Sequence, residues 1–222
     1  MKYKTLYLVL KTDRPVKEEA TQLRGYIGNV FSEYPVLHNH MGSPVLTYPR
    51  VQYKMVGKTP SIFGIEEGAD VIKKISGEIN ELDLLGSRYE VTKRTIHERS
   101  VDIDITPKPV SYRFLSPWLA LNSKNYESYN KISDWKKRKE FLNKILTGNI
   151  LSMAKGLGIV VENRLYVHSK IDSVQTRYKS VGMTGFTGEF RVNFSLPEYC
   201  GLGKGVSQGF GALRVENHNL LE

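Results

Sequence analysis

The spacing of apolar and polar residues in the first half of the chain predicts alternating strands and helices. Residues 2–11 are rich in Tyr, Leu and Val, which is typical of a strand. In the next segment apolar residues recur every three or four positions, which is typical of a helix. The full prediction is strands at 2–11, 48–55, 61–65 and 88–105, with helices at 16–31 and 66–79. This order is that of a ferredoxin-like sheet with both helices on one face.

The second half of the chain shows a similar but less regular pattern. Two prolines at 106–109 indicate a linker, and the polar segment 124–133 is typical of a loop. Strands are predicted at 110–115, 159–161, 164–170, 175–181, 183–193 and 210–215, with a helix at 134–154. The predicted fold is therefore α+β, with two tandem ferredoxin-like (βαββαβ-type, RRM-like) domains at 1–105 and 106–222 and a C-terminal glycine-rich loop.

The helical periodicity also predicts which residues are buried. The expected buried residues are Ala20, Leu23, Ile27 and Val30 in the first helix and Trp135, Phe141, Leu142, Ile145 and Leu151 in the long helix of the second half.

The charge of the chain adds a functional indication. Lys and Arg number 32 against 23 acidic residues, which gives a net charge of +9. Such an excess is typical of proteins that bind nucleic acid, although an ordinary solvated surface also explains it. The cations of the segment 135–141, WKKRKEF, leave the same two interpretations open.

The remaining composition excludes several classes of protein. No run of 18 apolar residues occurs, so no membrane association is expected. The single cysteine, Cys200, excludes an internal disulfide and fits a cytoplasmic location.

The segment 201–213 reads GLGKGVSQGFGAL, and five of its 13 residues are glycine. No helix is predicted to follow it, as a dinucleotide-binding fingerprint requires, and the Gly-Lys-Ser/Thr of a P-loop is absent. Glycine permits positive φ, so successive amides are able to face one phosphate. A flexible loop between two strands is the other interpretation. The candidate residues for contact with a nucleic-acid backbone are Gly201, Gly203, Lys204, Gly205, Ser207, Gly209 and Gly211.

This stretch resembles the glycine-rich signature of the RAMP superfamily of CRISPR-associated proteins, roughly Gly-x-Gly, a basic or polar insert and Ser-x-Gly-Phe-Gly. The segment 112–122, YRFLSPWLALN, is similar to the strand that opens the second half in the superfamily's repeat-RNA endoribonuclease branch. The resemblance implies a protein that cuts precursor CRISPR transcripts inside each repeat. It implies CRISPR repeat RNA as partner, single-stranded or hairpin, and a glycine loop that contacts the RNA backbone. A homodimer and a CRISPR effector complex are candidate assemblies.

Two histidines follow the first predicted helix in the sequence LHNHMG. In an extended segment His38 and His40 point to the same side, about 6–7 Å apart. Histidine is able to act as acid or base near neutral pH, so the pair suits metal-independent RNA cleavage. The resemblance also implies a catalytic histidine here. His-x-His is a metal-ligand spacing as well, but no third ligand lies nearby, and neither a metal nor a cofactor is expected. Two loop histidines without a role remain an alternative.

Tyr48 and Lys54 complete the predicted catalytic set, because the resemblance implies a tyrosine and a lysine near the histidine. Tyr48 is predicted to form a hydrogen bond with the 2′-hydroxyl or a phosphate oxygen, and Tyr34 and Tyr26 are the alternatives for this role. Lys54 is predicted to stabilise the phosphate in the transition state. Asp102 and Asp104 offer a rival, a metal-dependent nuclease with both carboxylates on one strand face.

The sequence predicts a metal-independent endoribonuclease that leaves 2′,3′-cyclic phosphate and 5′-hydroxyl ends. The alternative is a non-catalytic RAMP-type subunit that holds RNA in an effector complex, because such a binder shares the glycine loop and the fold.

Overall fold

The computed structural model describes residues 2–38 and 48–216, which divide into two compact units. The first unit comprises Met1–Asp102, Tyr199–Gly201 and Val206–Gly209. The second comprises Ile103–Glu198, Leu202–Gly205 and Phe210–Glu222. The units thus separate between residues 102 and 103, while the sequence-based boundary was placed after residue 105, and each unit takes up pieces of the glycine-rich stretch.

The first unit is a five-stranded antiparallel sheet with two helices, in the order β2-β3-β1-β5-β4. Without β4, which pairs only with β5, this is the strand order of a ferredoxin-like fold, so the predicted fold class is confirmed. Its strands are β1 (Lys2–Thr12), β2 (Val51–Val56), β3 (Thr59–Ile65), β4 (Glu81–Leu84) and β5 (Ser87–Asp102), and its helices are α1 (Ala20–Val30) and α2 (Glu67–Ile75).

One face of β1 carries the core of this unit. Leu6, Leu8 and Leu10 are fully buried there, and residues of both helices join the same hydrophobic cluster. Val30 is 51% exposed, so its predicted burial is wrong. Val30 is the last residue of α1, and the next residue, Phe31 at the C-cap, is buried in the core instead.

Helix α1 begins later than predicted because of its capping residues. The Gln22 side-chain oxygen accepts a hydrogen bond from the Glu19 amide (3.1 Å), as in a capping box, and the helix starts at the next residue. Asp13, which lies before the helix, accepts from the Glu90 amide (3.0 Å) and does not cap α1.

The second unit is a four-stranded antiparallel sheet, in the order β7-β8-β6-β9. This order matches β2-β3-β1-β5 of the first unit, so both units are ferredoxin-like. No α-helix joins β8 to β9, and residues 195–212, which include all but the last residue of the glycine-rich stretch, take that place. The strands are β6 (Ile105–Trp118), β7 (Val167–Tyr178), β8 (Val181–Phe194) and β9 (Leu213–Val215), and the helices are α3 (Ser123–Lys131) and α4 (Trp135–Gly156).

Several secondary-structure predictions for the second unit are wrong. The supposed linker 106–109 belongs to β6, where its prolines lie in an irregularity between the Ile105–Phe194 and Val110–Val192 pairs. The supposed loop 124–133 contains α3, which is capped by the Asn122 side chain accepting from the Asn125 amide (2.8 Å). Residues 159–161 form no strand.

Helix α4 packs on the second sheet through Leu142, Leu146 and Ile150, and the Trp118 indole donates to the side-chain oxygen of Asn149 (2.9 Å). Trp135 and Leu151, expected to be buried, are 68% and 41% exposed. Within the part of the chain that the structure describes, no helix is long and apolar enough to cross a membrane.

Candidate functional site

The backbone at His38 is held from two sides. His38 directly follows a 3₁₀ turn, Pro35–Leu37, that comes after α1. The Tyr53 hydroxyl of β2 donates to the Leu37 carbonyl (3.1 Å), and the Arg24 guanidinium of α1 donates to the His38 carbonyl (2.5 Å). His40, the second predicted catalytic histidine, lies outside the described residues.

The His38 imidazole packs directly against Gly28 of α1. A Cβ atom added to Gly28 would lie 2.6 Å from the imidazole Cε1 and 2.8 Å from Nδ1, which is closer than real Cβ contacts. Gly25, one turn earlier in the same helix, has open space at the corresponding position. Gly28 is therefore the position at which α1 makes room for the imidazole. The sequence-based prediction missed this residue, because a glycine inside a helix carries no signal about which side chain lies over it.

Tyr48 is buried and bonded to the protein itself. Its hydroxyl donates to the Gly201 carbonyl (2.9 Å) and is close enough to the Gly201 amide (3.1 Å) to accept from it. Burial raises the pKa of Tyr48 well above its ordinary value, so the phenol stays protonated. The Tyr48 hydroxyl is thus engaged by the first segment of the glycine-rich stretch, and its predicted contact with RNA stays a prediction.

Lys54 is buried beneath the same stretch. Its Nζ donates to the side-chain oxygen of Gln52 (3.0 Å) and to the Val206 carbonyl (3.3 Å). Burial lowers the pKa of Lys54 to about 7, and Cys200 acts in the opposite direction. The neutral amine has two N–H bonds for these two acceptors, and within the described residues the third N–H of an ammonium finds no acceptor. The predicted contact of Lys54 with phosphate requires it to leave this position.

Most amides of the glycine-rich stretch are paired inside the protein. The Lys204 amide donates to the Leu119 carbonyl (3.1 Å), and the Gly211 amide donates to the Pro117 carbonyl (2.9 Å). Among residues 2–38 and 48–216, the amides of Gly203 and Gly205 form no hydrogen bond. The amides free to bind an anion therefore include the two on either side of the exposed Lys204.

Four glycines of the stretch have positive φ, as a phosphate-facing loop requires. A Cβ at Gly203 would lie 2.7 Å from the Trp118 indole nitrogen, and one at Gly211 would overlap the Leu202 carbonyl oxygen. These glycines are needed for packing whether or not RNA binds. The φ values are +86° at Gly203, +75° at Gly205, +96° at Gly209 and +63° at Gly211.

The carboxylates of the rival metal site do not share a strand face. Asp102 is the last residue of β5, whereas Asp104 precedes β6 and accepts from the Ile105 amide (2.7 Å). The alternation of VDIDI therefore spans the junction between two strands. Across the described ranges, no group of three or more His, Cys, Asp or Glu side chains is arranged to hold a metal ion.

Comparisons with known proteins cover almost the whole chain. Residues 1–102 match the family model of the Cas6b N-terminal domain, and residues 104–215 match that of the Cas6b C-terminal domain. An uncharacterized protein of Methanocaldococcus jannaschii, MJ0978, is 42% identical over 140 residues, which cover 62% of this chain and 95% of that protein.

Two solved structures are similar along both units. A crystal structure of Cas6b is 34% identical, with a TM-score of 0.86, and covers 97% of this chain and 100% of its own. A CRISPR RNA processing endoribonuclease Cas6b is 31% identical, with a TM-score of 0.79 and the same coverage. These findings confirm the resemblance to RAMP-type CRISPR-associated proteins, and the chain belongs to the Cas6b family.

Proposed function

We propose that this chain is an endoribonuclease that cleaves CRISPR repeat RNA in precursor transcripts without a metal ion. The observation that carries the proposal is its similarity, over 97% of the chain, to a CRISPR RNA processing endoribonuclease of the same family. The net charge of +9 suits a polyanionic substrate.

In the proposed reaction the 2′-hydroxyl of the scissile nucleotide attacks the adjacent phosphorus. A base removes the 2′-hydroxyl proton, the bond from phosphorus to the 5′-oxygen breaks, and an acid protonates the leaving oxygen. His38 and His40 are proposed to share these two roles, because histidine titrates near neutral pH. The products are a 2′,3′-cyclic phosphate and a 5′-hydroxyl.

The contacts of Tyr48 and Lys54 support a positioning role. Their hydrogen bonds hold the segments Tyr199–Gly201 and Val206–Gly209 in the first unit. A direct role at the phosphate stays a prediction that requires both side chains to leave these bonds. RNA binding by the glycine-rich stretch is proposed to rest on Lys204 and on the amides of Gly203 and Gly205.

Single-turnover cleavage of repeat RNA by alanine variants tests this proposal. His38→Ala and His40→Ala should each lower the rate by about 10²- to 10⁴-fold while RNA affinity is retained. His97→Ala, an exposed position on β5, is the matched control and should cleave normally. A wild-type protein that binds repeat RNA and leaves it intact would instead support the non-catalytic RNA-binding subunit.

A further inference from the structure

A cavity of about 510 Å³ opens in the second unit between α3 and the paired ends of β7 and β8. Its volume lies in the range of small-ligand sites, about 300–1,000 Å³. Tyr126, Tyr178, Gly182 and Lys204 contribute to its wall, and every residue that lines it belongs to the second unit.

The cavity combines aromatic rings with cations. The Tyr126 side chain is a large apolar group left 46% exposed on α3. The ammonium of Lys204 lies 4.9 Å from the centre of the Tyr178 ring, and that of Lys179 lies 5.8 Å from it. Proteins that bind single-stranded nucleic acid use this combination, because bases stack on aromatic rings while cations contact the phosphates.

The glycine-rich stretch contributes Lys204 to the wall of the cavity. A Cβ at Gly205 would lie 2.8 Å from Cε2 of Tyr178, so glycine is what lets the chain approach the ring this closely. An ammonium and an aromatic ring therefore meet on one side of the cavity.

We propose that this cavity holds one unpaired ribonucleotide of the bound RNA, with its base at the Tyr126 and Tyr178 rings and its phosphate at Lys204. The inference rests on the proposed function, since its ligand is the RNA substrate. Gln175 also lines the cavity. Its side-chain amide is able both to donate a hydrogen bond to a base edge and to accept one from it, which gives the site a means of base selection. Substrates with an unpaired nucleotide are then preferred.

Filling the cavity is the sharpest test. Gly182 lines it and has no positive φ, and a Cβ added there would meet no atom within 4 Å, so Gly182→Leu fills space without displacing the backbone. Gly148→Leu, on α4 and equally unobstructed, is the matched control. Affinity is measured for repeat RNA and for the same RNA with an abasic site at each position in turn.

The wild type should lose about 10-fold in affinity at one abasic position, the effect of losing one stacked base. Gly182→Leu should bind intact RNA about 10-fold more weakly and lose nothing further at that position, while Gly148→Leu keeps the wild-type profile.

A second pair of variants, at Tyr126, tests the site even if Gly182→Leu does not fold. Tyr126→Ala should reproduce the loss, and Tyr126→Phe should restore affinity because it keeps the ring. If the wild type binds and cleaves but the cavity variants keep its affinity and abasic profile, the nucleotide site alone is wrong. If the wild type neither binds nor cleaves repeat RNA, the proposed function is wrong as well.

Discussion

Glycine makes room for a ring in two regions of the molecule, and the consequences of replacing it differ. Gly28 lies inside α1, so an added Cβ collides with the His38 imidazole in an otherwise ordinary helical conformation. Gly205 lies against Tyr178 at a φ of +75°, so an added Cβ also strains the backbone. Replacing the helical glycine thus tests the function of His38, whereas replacing a glycine of the stretch first affects folding.

The absence of a helix between β8 and β9 explains why the glycine-rich stretch needs its glycines. Between β3 and β5 of the first unit lies α2, whose backbone amides form hydrogen bonds within the helix. Between β8 and β9 the described chain has no α-helix, and the stretch pairs its amides with Leu119, Pro117 and the side chain of Gln52. Such close approach of backbone to strands and side chains leaves no space for Cβ atoms.

The largest expected effect is on folding. Gly211→Ala should lower the free energy of unfolding by about 3 kcal/mol or more, because it adds strain at positive φ to an overlap with the Leu202 carbonyl. Gly77→Ala, after α2 and in open space, is the control. Urea denaturation measures both, and equal midpoints for Gly211→Ala and the wild type would show that the stretch tolerates side chains.

The buried Lys54 should make stability depend on pH. Its folded-state pKa of about 7 lies below the ordinary 10.5, so above pH 7 the unfolded chain holds a proton that the folded chain has released. The cost of burial is fully present below pH 7 and declines as pH rises towards 10.5. The unfolding free energy of the wild type relative to Lys54→Met should therefore rise by up to about 1.4 kcal/mol per unit from pH 7 to 9.

Urea denaturation at several pH values checks this slope. Lys155→Met, at an exposed position in the last turn of α4, is the control and should run parallel to the wild type. A Lys54→Met curve that also runs parallel would mean that Lys54 keeps its proton in the folded protein.

The helical glycine offers a smaller and more specific effect. Gly28→Ala should slow cleavage about 10-fold or more by displacing the His38 imidazole, since small misplacements of catalytic groups are costly. Gly25→Ala leaves the imidazole alone and should cleave normally. Alanine favours the helix by up to about 1 kcal/mol at both positions, and urea denaturation of both variants separates a loss of activity from unfolding. Equal cleavage rates for the two variants would exclude the imidazole from the reaction.

The smallest expected effect is at Lys204. Lys204→Ala should reduce the dependence of RNA binding on salt by about one counterion and weaken affinity a few-fold. The cleavage rate at saturating RNA should not change. Lys155→Ala provides a matched loss of one exposed lysine, and an equal change in both salt slopes would remove any special role of Lys204.

The strand order of both units and the core of the first were predictable, because Leu6, Leu8 and Leu10 alternate and the helical spacing of Leu23 and Ile27 is regular. Helix α3 was not predictable, since SKNYESYNK has no apolar stripe and buries no residue. Trp135 was misassigned because periodicity identifies a helix face but not how far along it the packing extends.

The candidate site was predictable in part. The position of His38 after α1 followed from the sequence, while its contact with Gly28 depends on how the turn folds back. The burial of Lys54 has a different cause. Both faces of β2 are covered, so a lysine that alternation places towards solvent is enclosed under Val206.

Single-turnover cleavage of repeat RNA in excess EDTA is the decisive experiment for the proposed reaction. It compares all-ribose RNA with RNA that carries one 2′-deoxyribose at the scissile nucleotide. We predict full-rate cleavage of the all-ribose RNA to a 2′,3′-cyclic phosphate and no cleavage of the deoxy-substituted RNA. Loss of activity in EDTA, or cleavage of the deoxy-substituted RNA, would contradict metal-independent attack by the 2′-hydroxyl.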